Sequence, residues 1–195
     1  MPPNLSAVGP AFVERRSLIC HPDTPPEVVR SVWVEVMLSA DDGFALRFGV
    51  EGDIARLIVP PGDGELVIAD APTDGLWQTT CFEAFLTEEG EADYTEFNYA
   101  PDGRWACYQF DDYRSLAKTD DLAPWEMTSA RGDALYMLQV VPGILPDRGS
   151  LLALSAVIEE AGGTKSYWAL AHPPGKPDFH HRDCFGLVLG APPAA

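Results

Sequence analysis

From residue 31 onward, apolar side chains recur at every second position in short bursts, and each burst soon ends at glycine, proline, aspartate or asparagine. In SVWVEVMLSA (31–40), Val32, Val34, Val36 and Leu38 fall on one side of an extended chain, and Trp33, Glu35 and Met37 on the other. After a hairpin signal at Asp41-Asp42-Gly43, Phe44, Leu46, Phe48 and Val50 repeat the alternation. A period of two buries one face of a pleated strand and cannot line one side of a helix. Further strands are predicted at 54–59 and 65–69, around the loop PPGDGE, and at 76–87, 92–100, 104–110, 134–141, 150–159, 164–171 and 184–189. Only 25–30 (PPEVVR) and 111–118 (DDYRSLAK) suggest helices. The 18 prolines and 17 glycines are spread along the whole chain, as a succession of turns requires. The expectation is an all-β fold, an antiparallel β-sandwich of jelly-roll or immunoglobulin-like type with one or two short helices at most. Residues 1–195 read as one domain, with frayed ends at 1–14 and 190–195.

Charge narrows the partners. Thirteen Lys and Arg against 30 Asp and Glu give a net charge of −17. Binding to nucleic acid needs a clustered basic surface, so that class is set aside, as is docking on anionic membranes. No stretch approaches the ~20 apolar residues of a membrane span. The N-terminus has no basic start followed by an apolar run. Cys20, Cys81, Cys107 and Cys184 lie far apart with no CxxC spacing, which reads as reduced thiols in a cytoplasmic protein.

Three consecutive central strands carry polar side chains that a plain core would not use. In LWQTTCFEAFL, Phe82, Ala84 and Leu86 share one face, and Trp77, Thr79, Cys81 and Glu83 the other. In YTEFNYA, Tyr94, Glu96 and Asn98 alternate with Thr95, Phe97 and Tyr99. A three-residue loop at Pro101-Asp102-Gly103 sets Ala100 opposite Arg104, Asn98 opposite Ala106 and Glu96 opposite Tyr108. Glu96, Asn98, Arg104 and Tyr108 then share a face, whereas a two-residue Asp102-Gly103 turn would flip one strand. A face with an indole, carboxylates, an amide and a guanidinium suits a sugar, whose C–H patches stack on aromatics while its hydroxyls bond polar groups. The same face also reads as a cross-strand ion pair, Glu83 or Glu96 with Arg104, on a solvated sheet.

The segment DGLWQTTCFEAFL…YTEFNYAPDGRWACYQFDDYR resembles carbohydrate-binding module family 9 and the DOMON-like superfamily. Trp77 and Glu83 stand six residues apart ahead of Phe85-Leu86, as in the family's sugar-binding motif, and Tyr94 to Pro101 resembles its second central strand. The resemblance implies a β-sandwich and non-catalytic binding of a small carbohydrate as partner. Trp77 would stack on the sugar, and Glu83, Glu96, Asn98 and Arg104 would bond its hydroxyls. Tyr108 or Trp168 would wall the pocket. The family's C-terminal Asn and second Trp have no counterpart in SYWALAHPPGKPDFHHRDCFGLVL, where Trp168, His172 or Phe179 would substitute.

Other ligands have candidate residues. His172, Asp178 and His180, with Cys184 nearby, offer metal-ligand chemistry, although their spacing matches no established closed site. Asp111-Asp112 and Asp120-Asp121 could hold structural calcium. The DOMON side of the resemblance implies haem, held by Met37, Met127 or Met137 with His172 or His180. Glu83 and Glu96 could also pair as the carboxylates of a glycoside-acting enzyme. The leading expectation is a sugar-binding protein with no cofactor.

Overall fold

The computed structural model describes residues 12–38 and 43–190. Over these residues the alternation becomes thirteen strands, every pairing between them antiparallel. They are β1 (Phe12–Cys20), β2 (Val29–Leu38), β3 (Phe44–Gly52), β4 (Gly64–Glu65), β5 (Cys81–Thr87), β6 (Tyr94–Tyr99) and β7 (Trp105–Asp112). There follow β8 (Ser115–Asp120), β9 (Glu126–Arg131), β10 (Leu135–Val141), β11 (Leu151–Glu159), β12 (Lys165–Ala169) and β13 (Leu187–Val188). Hydrogen bonding runs in the order β4-β9-β10-β3-β2-β1-β12-β11-β5-β6-β7-β8, with β13 added beside β11.

The path turns at β1. Residues through Leu18 pair with β2, whereas Ile19 and Cys20 pair with Ala169 and Trp168 of β12. The two halves stack as the layers of a sandwich. Val32, Val34, Val36, Leu46, Phe48 and Val50 of one layer pack against Phe82, Ala84, Phe97, Tyr99, Leu154 and Ala156 of the other. The rings of Phe48 and Phe82 approach to 5.1 Å across the core.

The all-β reading holds, with corrections. Both helix candidates are extended chain and turns. At 25–30, two prolines precede β-branched residues, and the N–H groups of Glu27, Val28 and Val29 donate to the buried Glu160 carboxylate instead of to helix carbonyls. At 111–118, Tyr113 and Arg114 make the turn between β7 and β8, Arg114 adopting a left-handed φ of 53°. Strands β1, β8 and β9 were not expected. Strand β8 is an exposed edge strand, so no apolar alternation marks it. The strand predicted from 76 starts only at Cys81, because Leu76–Gln78 forms a 3-10 turn. Ile54–Arg56 is another such turn, and 65–69 reduces to Gly64–Glu65. Val13 and Glu14, expected in a frayed end, belong to β1. Residues 1–11 and 191–195 and the two aspartates of the Asp41-Asp42-Gly43 turn lie outside the described residues.

Candidate ligand-binding site

The three-residue loop is the one observed. Glu96 pairs with Tyr108 and Asn98 with Ala106, and the Ala100 N–H donates to the Arg104 carbonyl at 2.9 Å. On the outer face of this sheet two rows run side by side. One reads Ala169, Ser155, Glu83, Asn98 and Ala106; the next reads Ala153, Phe85, Glu96 and Tyr108. Ser155 beside Glu83, and Ala169, Ala106 and Ala153 farther along the rows, are small, while Phe85 and Tyr108 flank Glu96, so the face is hollow where large side chains are missing. Bulky residues and a loop raise the margins.

The hollow is a cavity of about 480 Å³. Glu83, Glu96 and Val157, all buried, lie in its floor, with Trp77 and Tyr108 beside one another in the wall. Tyr167 packs on Phe179 and Phe110 on His180 elsewhere along the wall, and Pro177, Asp74, Arg114 and Leu116 complete the lining. Trp77 is 41% exposed at the rim and meets Tyr108 edge to face, ring centres 6.0 Å apart. The Tyr108 hydroxyl donates to Asp74 at 2.7 Å, which fixes its ring upright.

The loop from Ala171 to Gly186 closes over this face. Asp178 anchors it by accepting from Arg114 Nη2 at 2.7 Å, from the Tyr113 hydroxyl and from the His180 N–H at 3.2 Å. Cys184 Sγ ties its base, donating to the carbonyls of Ala171 and Asp178, each at 3.2 Å. Beneath it Phe85, Tyr94, Phe110 and Phe179 form a second small core.

The floor is electrostatically tense. Glu83 and Glu96 are only 2% and 5% exposed. Burial first, and the Glu96 charge second, hold the Glu83 carboxyl well above the ordinary carboxylate range. Burial also raises Glu96, while its bond from Asn98 and the charge of Arg114 pull back. Ser155 Oγ bonds Glu83 Oε2 at 3.1 Å, and Asn98 Nδ2 donates to Glu96 Oε1 at 2.7 Å. His180 Nε2 faces Glu96 Oε2 at 3.7 Å, and its Nδ1 lies 2.8 Å from the Tyr94 hydroxyl. Burial, reinforced by the Arg114 charge, pushes His180 down to about 4, so its ring is neutral at neutral pH.

With this geometry in view, known proteins can be compared. No protein-family model matches the chain, and neither does any curated protein. A solved structure does. It is described as a "putative carbohydrate-binding protein" from Bacteroides uniformis ATCC 8492, with a TM-score of 0.59 and 16% identity, over 89% of this chain and 84% of that one. The two share a fold.

Of the side chains singled out in the sequence, Trp77, Glu83, Glu96, Tyr108 and Phe179 meet at the cavity. Asn98 lies fully buried behind Glu96, holding its carboxylate instead of facing the hollow. Arg104 is elsewhere: it sits beside the turn, where Asp102 holds its guanidinium at 2.8 Å, and borders a separate groove with Pro60 and Thr79. Trp168 points into the sandwich core, and its neighbour Tyr167 takes the outward position. His172 Nε2–H donates to the Ile19 carbonyl at 2.8 Å, and the ring packs edge-on against His21.

The sequence reading missed Arg114 and Asp74. Arg114 was hidden by the supposed helix at 111–118. As metal ligands, His172, Asp178 and His180 are each committed to other partners, and among the described residues no three His, Cys, Asp or Glu side chains group as a metal site. Asp120 is likewise engaged by Gln109 and Lys118. For haem, Met127 is in the inter-sheet core, while Met37 and Met137 belong to β2 and β10 of the other layer. None of the three lines the cavity with His180. All four cysteines are free thiols. No helix among the described residues is long and apolar enough to cross a membrane.

Proposed function

We propose that this protein binds a small carbohydrate in the cavity on the outer face of β5, β6, β7, β11 and β12. The observation that carries the reading is the pairing of an exposed rim indole, Trp77, set against the buried ring of Tyr108, with two buried carboxyls in the floor below. A pyranose offers a flat C–H face to such a rim and hydroxyls to such a floor. The volume falls within the ~300–1,000 Å³ usual for small-molecule sites. In this reading Trp77 and Tyr108 pack on the ring, Glu83, Glu96 and Arg114 bond hydroxyls, and Asn98 fixes Glu96. Phe179 and Tyr167 wall the far side, in the place expected of Trp168. The likeness of Trp77 and Glu83 to the motif of carbohydrate-binding module family 9 and DOMON-like domains supports the assignment. So does the description given to the structural neighbour from Bacteroides uniformis.

Titrating intrinsic tryptophan fluorescence with a panel of mono- and disaccharides tests the reading. A saturable change is expected for at least one sugar. Trp77→Ala then weakens binding by roughly 3- to 30-fold, combining ~0.5–1.5 kcal/mol of ring contact with the lost buried area. A flat response across the panel, confirmed by calorimetry, overturns the proposal.

A further inference from the structure

We propose that the cavity also interconverts the anomers of a reducing sugar, with Glu83 as the acid at the ring oxygen and Glu96 as the base at the anomeric hydroxyl. The inference rests on the carbohydrate reading above and adds a chemical step to it.

The geometry begins with register. Glu83 stands opposite Asn98, and Glu96 lies two residues before Asn98 on the same strand face, so the glutamates are diagonal neighbours. Diagonal neighbours lie roughly 7–8 Å apart, with their Cβ atoms somewhat closer, within joint reach of two long side chains and one small molecule between them. The ring oxygen and the anomeric oxygen of a sugar are bonded to one carbon and share one edge of the ring. Two carboxyls on one sheet face can meet that edge together while Trp77 and Tyr108 cover the flat of the ring.

The surroundings then divide the roles. Two carboxyls buried side by side resist ionising together, so one proton is shared between them. Glu96 has the stronger polar surroundings: it accepts from Asn98 Nδ2–H at 2.7 Å, the imidazole Nε2 of His180 stands 3.7 Å away, beyond hydrogen-bond reach, and Arg114 is on the cavity wall. The tautomer of His180 follows from its own partner. The Arg114 backbone N–H donates to the Tyr94 hydroxyl at 3.1 Å, which leaves the Tyr94 proton to bond His180 Nδ1. The ring hydrogen is therefore on Nε2, aimed at Glu96. Among the described residues Glu83 has the Ser155 hydroxyl. The charge settles on Glu96 and the proton on Glu83.

That is the pairing ring opening requires. Glu83 gives its proton to the ring oxygen as the bond from that oxygen to the anomeric carbon breaks. Glu96 takes the proton of the anomeric hydroxyl as its oxygen becomes the carbonyl of the open chain. After rotation about the adjacent carbon–carbon bond, the freed hydroxyl attacks the other face of the carbonyl. Its proton returns to Glu83, and Glu96 returns a proton to the anomeric oxygen. Nothing is oxidised or reduced, and no further reactant is consumed.

The test uses freshly dissolved α-D-glucose, α-D-galactose and α-D-xylose, followed by polarimetry and by exchange between the anomeric NMR signals. The same sugars are titrated by tryptophan fluorescence. For a sugar that binds, the anomers exchange on the order of 10²-fold or more faster than in buffer, the usual scale of general acid–base catalysis. Glu83→Gln and Glu96→Gln, checked for native circular dichroism, each abolish the acceleration. If a sugar binds but its anomers exchange at the buffer rate, the inference fails and the binding reading stands. If neither these three nor any other sugar of the panel binds, both fail. Acceleration that survives in both variants overturns the assignment to this pair.

Discussion

Glu83 and His180 lie in one cavity and pull the pH dependence of stability in opposite directions. The native Glu83 carboxyl titrates above its unfolded value of roughly 4.3. Across that interval the folded chain holds a proton that the unfolded chain has shed, so stability falls as pH rises. His180 titrates at about 4 when folded, below the ~6.5 of the unfolded chain. Its contribution is complete above that value and is lost as pH falls through the native one. Above about pH 6.5 the histidine no longer changes charge, and only the carboxyl slope remains. Glu83→Gln removes one of the two raised carboxyls, so its urea midpoint should decline less steeply than the wild-type midpoint as pH rises from there. An unchanged slope would show that the Glu83 proton is not retained in the folded chain. Tyr167 and Trp168 show how fine such side-chain placement is. Both are aromatic neighbours on one strand, and alternation sends one to the cavity and the other to the core. Sequence alone gave no reason to choose, because the apolar surroundings of Trp168 come from β1 and the facing layer.

At the scale of elements, the turn between β6 and β7 sets the site. Three residues there put Glu96 beside Tyr108; two would have turned one of them away. Gly103 makes the turn possible in two ways. Its φ is 89°, and a Cβ at this position would stand 2.2 Å from the Val67 carbonyl oxygen. Gly103→Ala should therefore lower stability by about 1–3 kcal/mol, measured by urea unfolding, through backbone strain and displacement of the 67–69 segment. A loss under about 0.5 kcal/mol, the level of an ordinary surface change, would contradict that account. The turn was legible because Pro-Asp-Gly is a strong local signal and the strands beside it alternate cleanly. The prolines of the loop from Ala171 to Gly186 marked it as the mouth of a pocket, but its closure was not legible. Its closure depends on Asp178 meeting Arg114 and Tyr113, which are more than sixty positions away in the chain. Arg114 in turn sits on a left-handed turn that local pattern reads as helix. Strand β8 was invisible for a related reason: an exposed edge carries no buried face to mark it.

For the whole molecule, the layered architecture follows from patterning, since Val32, Val34, Leu46, Phe48, Phe82 and Phe97 alternate strictly and all reach one core. The net charge of −17 opposes that compactness by self-repulsion. Raising ionic strength from about 0.01 to 0.15 M shortens the screening length from ~30 to ~8 Å, so the melting temperature should rise by a few degrees. A fall would mean that local ion pairs such as Arg47–Glu35 outweigh the overall repulsion. The strand shared between layers has a consequence for synthesis. Strand β1 leaves the ribosome early, yet Cys20 finds Trp168 only after almost 150 further residues. At ~5–20 residues per second that is a delay of about 7–30 s. Through that interval β1 can join β2 in one layer, while its far end waits as an unclaimed edge. The sandwich is thus sealed late, and the sheet that carries the cavity is the one sealed last.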